Sequence, residues 1–387
     1  MLYNHMSMTM SSKLLSLTVS TMALAGSLAG AAWAEAPRVA TDIAPVHSLV
    51  ARVMDGVGAP DLIIQKGASP HGYSLRPSEA GALQEAEIVF WIGPDLTPWM
   101  TDAAETLAGD ARIVTLLDLP ATTRLEFREG ALFEAHSHEG EHDHGDDHGH
   151  EADHDHAKAE HEHEHEHEAG HDHDHDHDHD HAKAEHDHEH EAGHDHDHGH
   201  EDHATDHDHG HAHGAHDPHA WLSPANAAAW LDAIAATLSE ADPQNADAYA
   251  ANAAAGKAEL DALTEDVAQR LAPVKDRDFI VFHDAYQYFE DAFGLSAAGA
   301  ISLSDATDPS PARIAEIQGR IREEGVDCVL AEPQFNEGIV ATVTEGTAVN
   351  TGVVDPMGST LDLGPGFYPA LIRDLATQLA ECLGTGA

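Results

Sequence analysis

The chain has 387 residues, enough for two domains of ordinary size, with a formal net charge of -52 and only two cysteines. That charge excludes a nucleic-acid partner, because a phosphate backbone is bound by basic patches. The acidity is local: between Glu139 and Asp208 lie 28 of the 70 acids and only two basic residues, Lys158 and Lys183.

Residues 1–34 combine an early Lys13, an apolar run from Leu14 to Ala32 and the small-x-small site Ala32-Trp33-Ala34. This pattern predicts a secretory signal peptide cleaved before Glu35. No later stretch is long and apolar enough to span a bilayer, so the mature protein is expected to be soluble and to reach a membrane only through a partner.

From Val39 onward, short β-type runs (Val39–Ile43, Asp61–Gln65, Glu87–Ile92, Arg112–Leu117) alternate with helical stretches such as Ser48–Met54 and Thr97–Leu107. The same alternation returns later, with strands at Phe279–Phe282, Ala298–Leu303, Asp327–Ala331 and Thr351–Val354. Helices are expected around Pro311–Glu324, Glu337–Glu345 and Tyr368–Leu383. The fold class is therefore α/β: two lobes of Rossmann-like kind, each a parallel sheet covered on both faces.

The segment 136–216 carries 31 of the 36 histidines in strings such as HEHEHEHE (His161–Glu168) and HDHDHDHDHDH (His171–His181). With almost nothing apolar larger than alanine it offers no core, and it is expected to be a disordered insertion in the N-terminal lobe. Alternating imidazoles and carboxylates will bind several Zn²⁺, Cu²⁺ or Ni²⁺ ions weakly, since no single geometry is pre-organised. His161–His165 matches the protease pattern H-E-x-x-H only through that alternation; the pattern needs an ordered helix, and no enzyme activity is expected.

After the tract, Asp242-Pro243 reads as a helix start, with an alanine-rich run continuing to about Leu271. Such a helix would be roughly 45 Å long and could join two lobes. The expected division is an N-terminal lobe over 35–241, a linker helix over 242–272 and a C-terminal lobe over 273–387.

Outside the signal and the tract only four histidines remain: His47, His71, His219 and His283. His71 lies in the turn-rich KGASPHGYSLRPS, His219 in DPHAWLSP before a helix near Pro224, and His283 directly after an apolar strand. Ligands of open α/β sheets bind at strand C-termini, and three imidazoles leave one tetrahedral position open on zinc. His47, next to Pro45 at the start of the first helix, reads as a residue that satisfies backbone groups there. Asp284, beside His283, reads as an orienting group or a cap. Glu332 reads as a buried structural carboxylate that could also orient a ligand.

The order GASPHGYSLRPS, histidine-rich insert, DPHAWLSP, VFHDAYQYF, AEPQFN and VVDPMGS resembles the zinc-specific solute-binding proteins of metal ABC importers over nearly all of Ala36–Leu383. The resemblance implies two lobes joined by one long helix, with a single Zn²⁺ in the cleft between them. It places the ligands on His71, His219 and His283, with the fourth position filled by Asp355 or by water. It also implies a Cys328–Cys382 disulfide, which agrees with the oxidising compartment of an exported chain. The partners implied are an inner-membrane permease and its ATPase, and the protein itself would be a periplasmic monomer. A manganese or iron binder of the same fold and a free-standing zinc chaperone or adhesin are the alternatives; the imidazole at His283 favours zinc over the harder ions.

Overall fold

The computed structural model describes residues 36–128, 133, 216–302 and 309–384. The chain divides into one unit of residues 1–136 and 213–387 and a second of residues 137–212. The second unit, and with it nearly all of the histidine tract, lies outside the described residues, as does the expected signal peptide.

The first half runs β1 (Val39–Thr41), α1 (Ala44–Val53), β2 (Asp61–Leu62), α2 (Pro77–Glu85), β3 (Ile88–Trp91), α3 (Pro98–Leu107) and β4 (Arg112–Thr115). These strands form a parallel sheet in the order β2-β1-β3-β4. A 3₁₀ turn at Ala220–Leu222 leads into α4 (Pro224–Ala241) and the long α5 (Ala246–Leu271). The second half runs β5 (Phe279–His283), α6 (Gln287–Phe293), β6 (Ala297–Ser302), α7 (Pro311–Glu324), β7 (Cys328–Ala331), α8 (Glu337–Thr344), β8 (Asn350–Val353) and α9 (Phe367–Gly384). Its sheet is again parallel, in the order β6-β5-β7-β8. Two parallel α/β sheets are what the strand–helix alternation required.

The boundaries move where capping chemistry overrides periodicity. Helix α1 opens at Ala44, not Ser48, because Pro45 fits its first turn, where no backbone donor is needed. Helix α5 starts at Ala246, not at Asp242-Pro243. Asp242 instead closes α4: its backbone N–H bonds to Leu238, and its carboxylate takes the Asn245 amide at 2.6 Å and the Tyr249 hydroxyl at 2.9 Å. At 26 residues α5 is about 39 Å long. Helix α2, which periodicity did not suggest, is capped by Glu79, whose carboxylate accepts the Arg76 N–H at 2.8 Å. Helix α6, also unforeseen, stops at Gly294 with φ +67°, a conformation that suits glycine.

Helix α5 buries one stripe, Tyr249, Ala253, Gly256, Leu260, Leu263, Val267 and Leu271, spaced three or four residues apart. That stripe faces α1, α4 and α9. A β-carbon on Gly256 would stand 2.9 Å from a Leu231 methyl, so a larger residue there would require the Leu231 side chain to shift. One continuous apolar core runs from the first sheet through these helices into the second, and a smaller core fills the far face of the second sheet. The Cys328–Cys382 disulfide ties β7 to α9. Among the described residues no helix is long and apolar enough to cross a membrane.

Candidate metal centre

The three sequence-selected histidines converge. His283 is the last residue of β5, so the strand that forms for its apolar run delivers the imidazole at its C-terminal end. Strand β7 pairs with β5 at Phe279–Cys328 and Ile280–Val329. Continuing that register puts Glu332 opposite His283, and Glu332 Oε1 lies 2.7 Å from His283 Nδ1. His219 precedes the 3₁₀ turn, with Asp217 Oδ1 at 2.7 Å from its Nδ1 and 2.9 Å from its backbone nitrogen. His71 sits on the loop after β2, which is held by Trp99 Nε1 donating to the Pro70 carbonyl at 2.8 Å.

The His219 ring centroid lies 5.9 Å from that of His71 and 5.3 Å from that of His283. Imidazoles bound tetrahedrally at about 2.0–2.1 Å would have centroids about 5 Å apart. Among the described residues no three His, Cys, Asp or Glu side chains already stand close enough to hold a metal ion. Each of the two spacings from His219 exceeds the tetrahedral value by about an ångström or less.

Their cavity, lined also by Trp221, Glu332, Gln334 and Phe335, is about 20 Å³. That is room for an ion and a water, not for an organic ligand. Trp221 lies tilted against His219 and Phe335 edge-on to His283, with ring centroids 5.2 and 5.4 Å away, and both wall the site with apolar surface.

Electrostatics favour a divalent cation. Asp217 and Glu332 are 1 % and 2 % exposed, and each has an oxygen 2.7 Å from a ring Nδ1, the placement that, with Nδ1 protonated, directs the Nε2 lone pair toward a cation. Burial pushes the Asp217 carboxyl up to about 7, against the opposing pull of the His219 N–H. Ionised, the Asp217 and Glu332 carboxylates would balance the charge of one 2+ ion.

Asp355 does not line the cavity. Its oxygens accept Gln334 Nε2 at 2.7 Å, the Met357 N–H at 3.0 Å, and the Ser359 N–H and hydroxyl at 2.6 Å each, so in this structure it organises the turn after β8. His47 lies elsewhere, with Nε2 3.2 Å from the Pro60 carbonyl, and burial lowers its pKa. Asp284 is ion-paired to Arg128, so the nearest candidate general base is committed to a guanidinium. Burial raises the Asp284 carboxyl and Arg128 works against that rise.

Sequence reasoning did not single out Asp217 or Arg128. The first left a signal, an acid two residues before a ligand-type histidine in Asp217-Pro218-His219. The second left none, since its partners are more than 150 residues away in the chain.

A two-lobed α/β molecule with an ion-sized cavity walled by imidazoles is a binding protein for a small cation. The chain belongs to the family described as zinc-uptake complex component A, periplasmic, which matches residues 39–382. The high-affinity zinc uptake system protein ZnuA of Brucella abortus is 45% identical over 368 residues, 95% of this chain and 98% of that protein. The protein of the same description from Paracoccus denitrificans is 44% identical over 369 residues, covering 94% and 98%. A solved crystal structure of a ZnuA superposes with a TM-score of 0.61 at 18% identity over 90% of this chain and 99% of that one. A mutant of the laminin-binding adhesin of Streptococcus agalactiae gives 0.61 at 20% identity, over 90% and 99%. The last two share the fold.

Proposed function

We propose that this protein captures Zn²⁺ in the periplasm on His71, His219 and His283 and delivers it to the permease and ATPase of an ABC importer. The observation that carries this reading is the 20 Å³ cavity between three imidazoles, two of them oriented by buried carboxylates. Three neutral imidazoles suit zinc better than manganese, whose preferred donors are oxygens. Asp355 is already engaged by Gln334, Met357 and Ser359, so water is the assigned fourth ligand.

The histidine tract, outside the described residues, holds additional zinc weakly and feeds the cleft. Its imidazoles, with pKa values near 6.5, protonate together on mild acidification, so its metal is released toward about pH 5.5. The protein acts as a monomer after removal of residues 1–34.

Calorimetric zinc titration of the parent and of His71→Ala, His219→Ala and His283→Ala, with manganese as competitor, tests the cleft. One tight site, weakened in each variant and not displaced by manganese, is expected; tight binding retained in all three would refute the assignment. Removing residues 137–215 should leave one tight site and abolish the weak ones, and unchanged total stoichiometry would refute the reservoir.

A further inference from the structure

Between β4 and the histidine tract, residues 124–128 cross from the first lobe to the second. Arg128 Nη1 and Nη2 donate to the two Glu290 oxygens at 2.8 and 3.0 Å, and Nε donates to both Asp284 oxygens at 3.0 and 3.1 Å. The Arg128 side chain is 13% exposed and the two carboxylates 4% and 5%. Its guanidinium also stacks 3.7 Å above the Phe133 ring. Asp284 directly follows His283 on the β5 strand end.

Three residues earlier the same segment holds the other lobe's histidine. The Leu125 carbonyl accepts the Asp217 N–H at 2.9 Å, and the Leu125 N–H donates to Tyr288 Oη at 2.9 Å. The Tyr288 hydroxyl in turn donates to the Asp217 carbonyl at 2.8 Å. Gln287, with its amide oriented to satisfy its neighbours, donates to the Glu126 carbonyl at 3.1 Å and to Asp217 Oδ2 at 3.2 Å. Glu126 itself pairs with His216. Asp217, the residue that fixes His219, is thus held from the segment and from α6 at once.

We infer that residues 125–128 form a clasp that keeps the His219-bearing segment and the His283-bearing strand end in register, and that Arg128 is the positioning residue that locks it. The lobes are already joined by α5 and a shared core, so the clasp is not needed merely to connect them. Burying a guanidinium between two carboxylates is also a costly way to gain stability, which apolar packing supplies as well; its particular contribution is a fixed geometry. Arginine suits it because one planar fork meets both carboxylates, which a lysine cannot reproduce.

The inference rests on the cleft being the zinc site, and the test separates the two. Zinc dissociation from the tightest site of the full chain is timed by chelator competition for the parent, Arg128→Lys, Glu290→Gln, His283→Ala and the Arg128→Lys/His283→Ala pair, with melting curves of each metal-free protein. Arg128→Lys should speed release and weaken affinity tenfold or more, Glu290→Gln should do so less, and Arg128→Lys should add nothing in the His283→Ala background. Should Arg128→Lys fold poorly, Glu290→Gln, which keeps the Asp284 pair, carries the comparison. Affinity within twofold of the parent in a folded Arg128 variant, or an equal effect with and without His283, would overturn the positioning role. Unchanged tight binding in His283→Ala would instead remove the cleft reading beneath it.

Discussion

Replacing Glu332 by glutamine tests how far the affinity depends on the carboxylate behind His283. Its oxygen lies 2.7 Å from His283 Nδ1 and the side chain is 2 % exposed. With the ion about 2 Å beyond Nε2, the carboxylate sits about 6 Å from a 2+ charge, an attraction of about 5 kcal/mol at an effective dielectric near 20. Desolvation in the metal-free state cancels much of this, and a glutamine oxygen still accepts from Nδ1. The remaining loss matches that of other partners of metal-bound histidines, about 10–100-fold in affinity or about 1.4–2.7 kcal/mol. Competition against a fluorescent zinc chelator at fixed pH reads it directly. The reasoning is refuted if Glu332→Gln binds zinc within twofold of the parent, or if it weakens binding equally when His283 is already alanine.

Asp217 adds a pH dependence. Its metal-free carboxyl is raised to about 7 by burial, so zinc binding expels a proton below that pH, and affinity should fall by up to tenfold per unit as pH drops from about 7. For stability the sign is that of a raised carboxyl: its contribution is full below about 4 and is lost as pH rises through about 7. The metal-free melting temperature should therefore decline across that window and zinc should restore it. Asp42, also raised to about 7 by burial, contributes the same decline without the zinc dependence, and Asp217→Asn isolates the two. Asp355→Ala should lower the melting temperature, because four hydrogen bonds of the turn go, while reducing zinc affinity less than tenfold; a loss as large as that of His219→Ala would make Asp355 a ligand. Reducing the Cys328–Cys382 bridge, which closes a loop with a sequence separation of 54, should cost about 4 kcal/mol of stability and leave zinc affinity intact; differential scanning calorimetry with and without reductant checks both.

Much of this molecule is legible in the chain because its signals are local. Strand–helix alternation dictates two parallel sheets, and an apolar run ending in His283 dictates an imidazole at a strand tip. The absence of other histidines outside the signal and the tract narrows the candidates to four, and the order of motifs points to the family. Helix starts were misread where a single side chain outranked periodicity, as when Asp242 closed α4 instead of opening α5.

What only the tertiary structure decided is pairing between distant residues. Glu332 became the partner of His283 because β7 lies beside β5, a neighbour relation that no local spacing encodes. Asp355 is bonded within its own turn, to the Met357 and Ser359 backbone donors that the chain supplies two and four residues on. Arg128 met Asp284 and Glu290 because the chain crosses between lobes before entering the tract. Sequence fixes which donors a residue carries; buried partners are fixed by the fold, since a charge removed from water must find its counter-charge wherever the chain brings one.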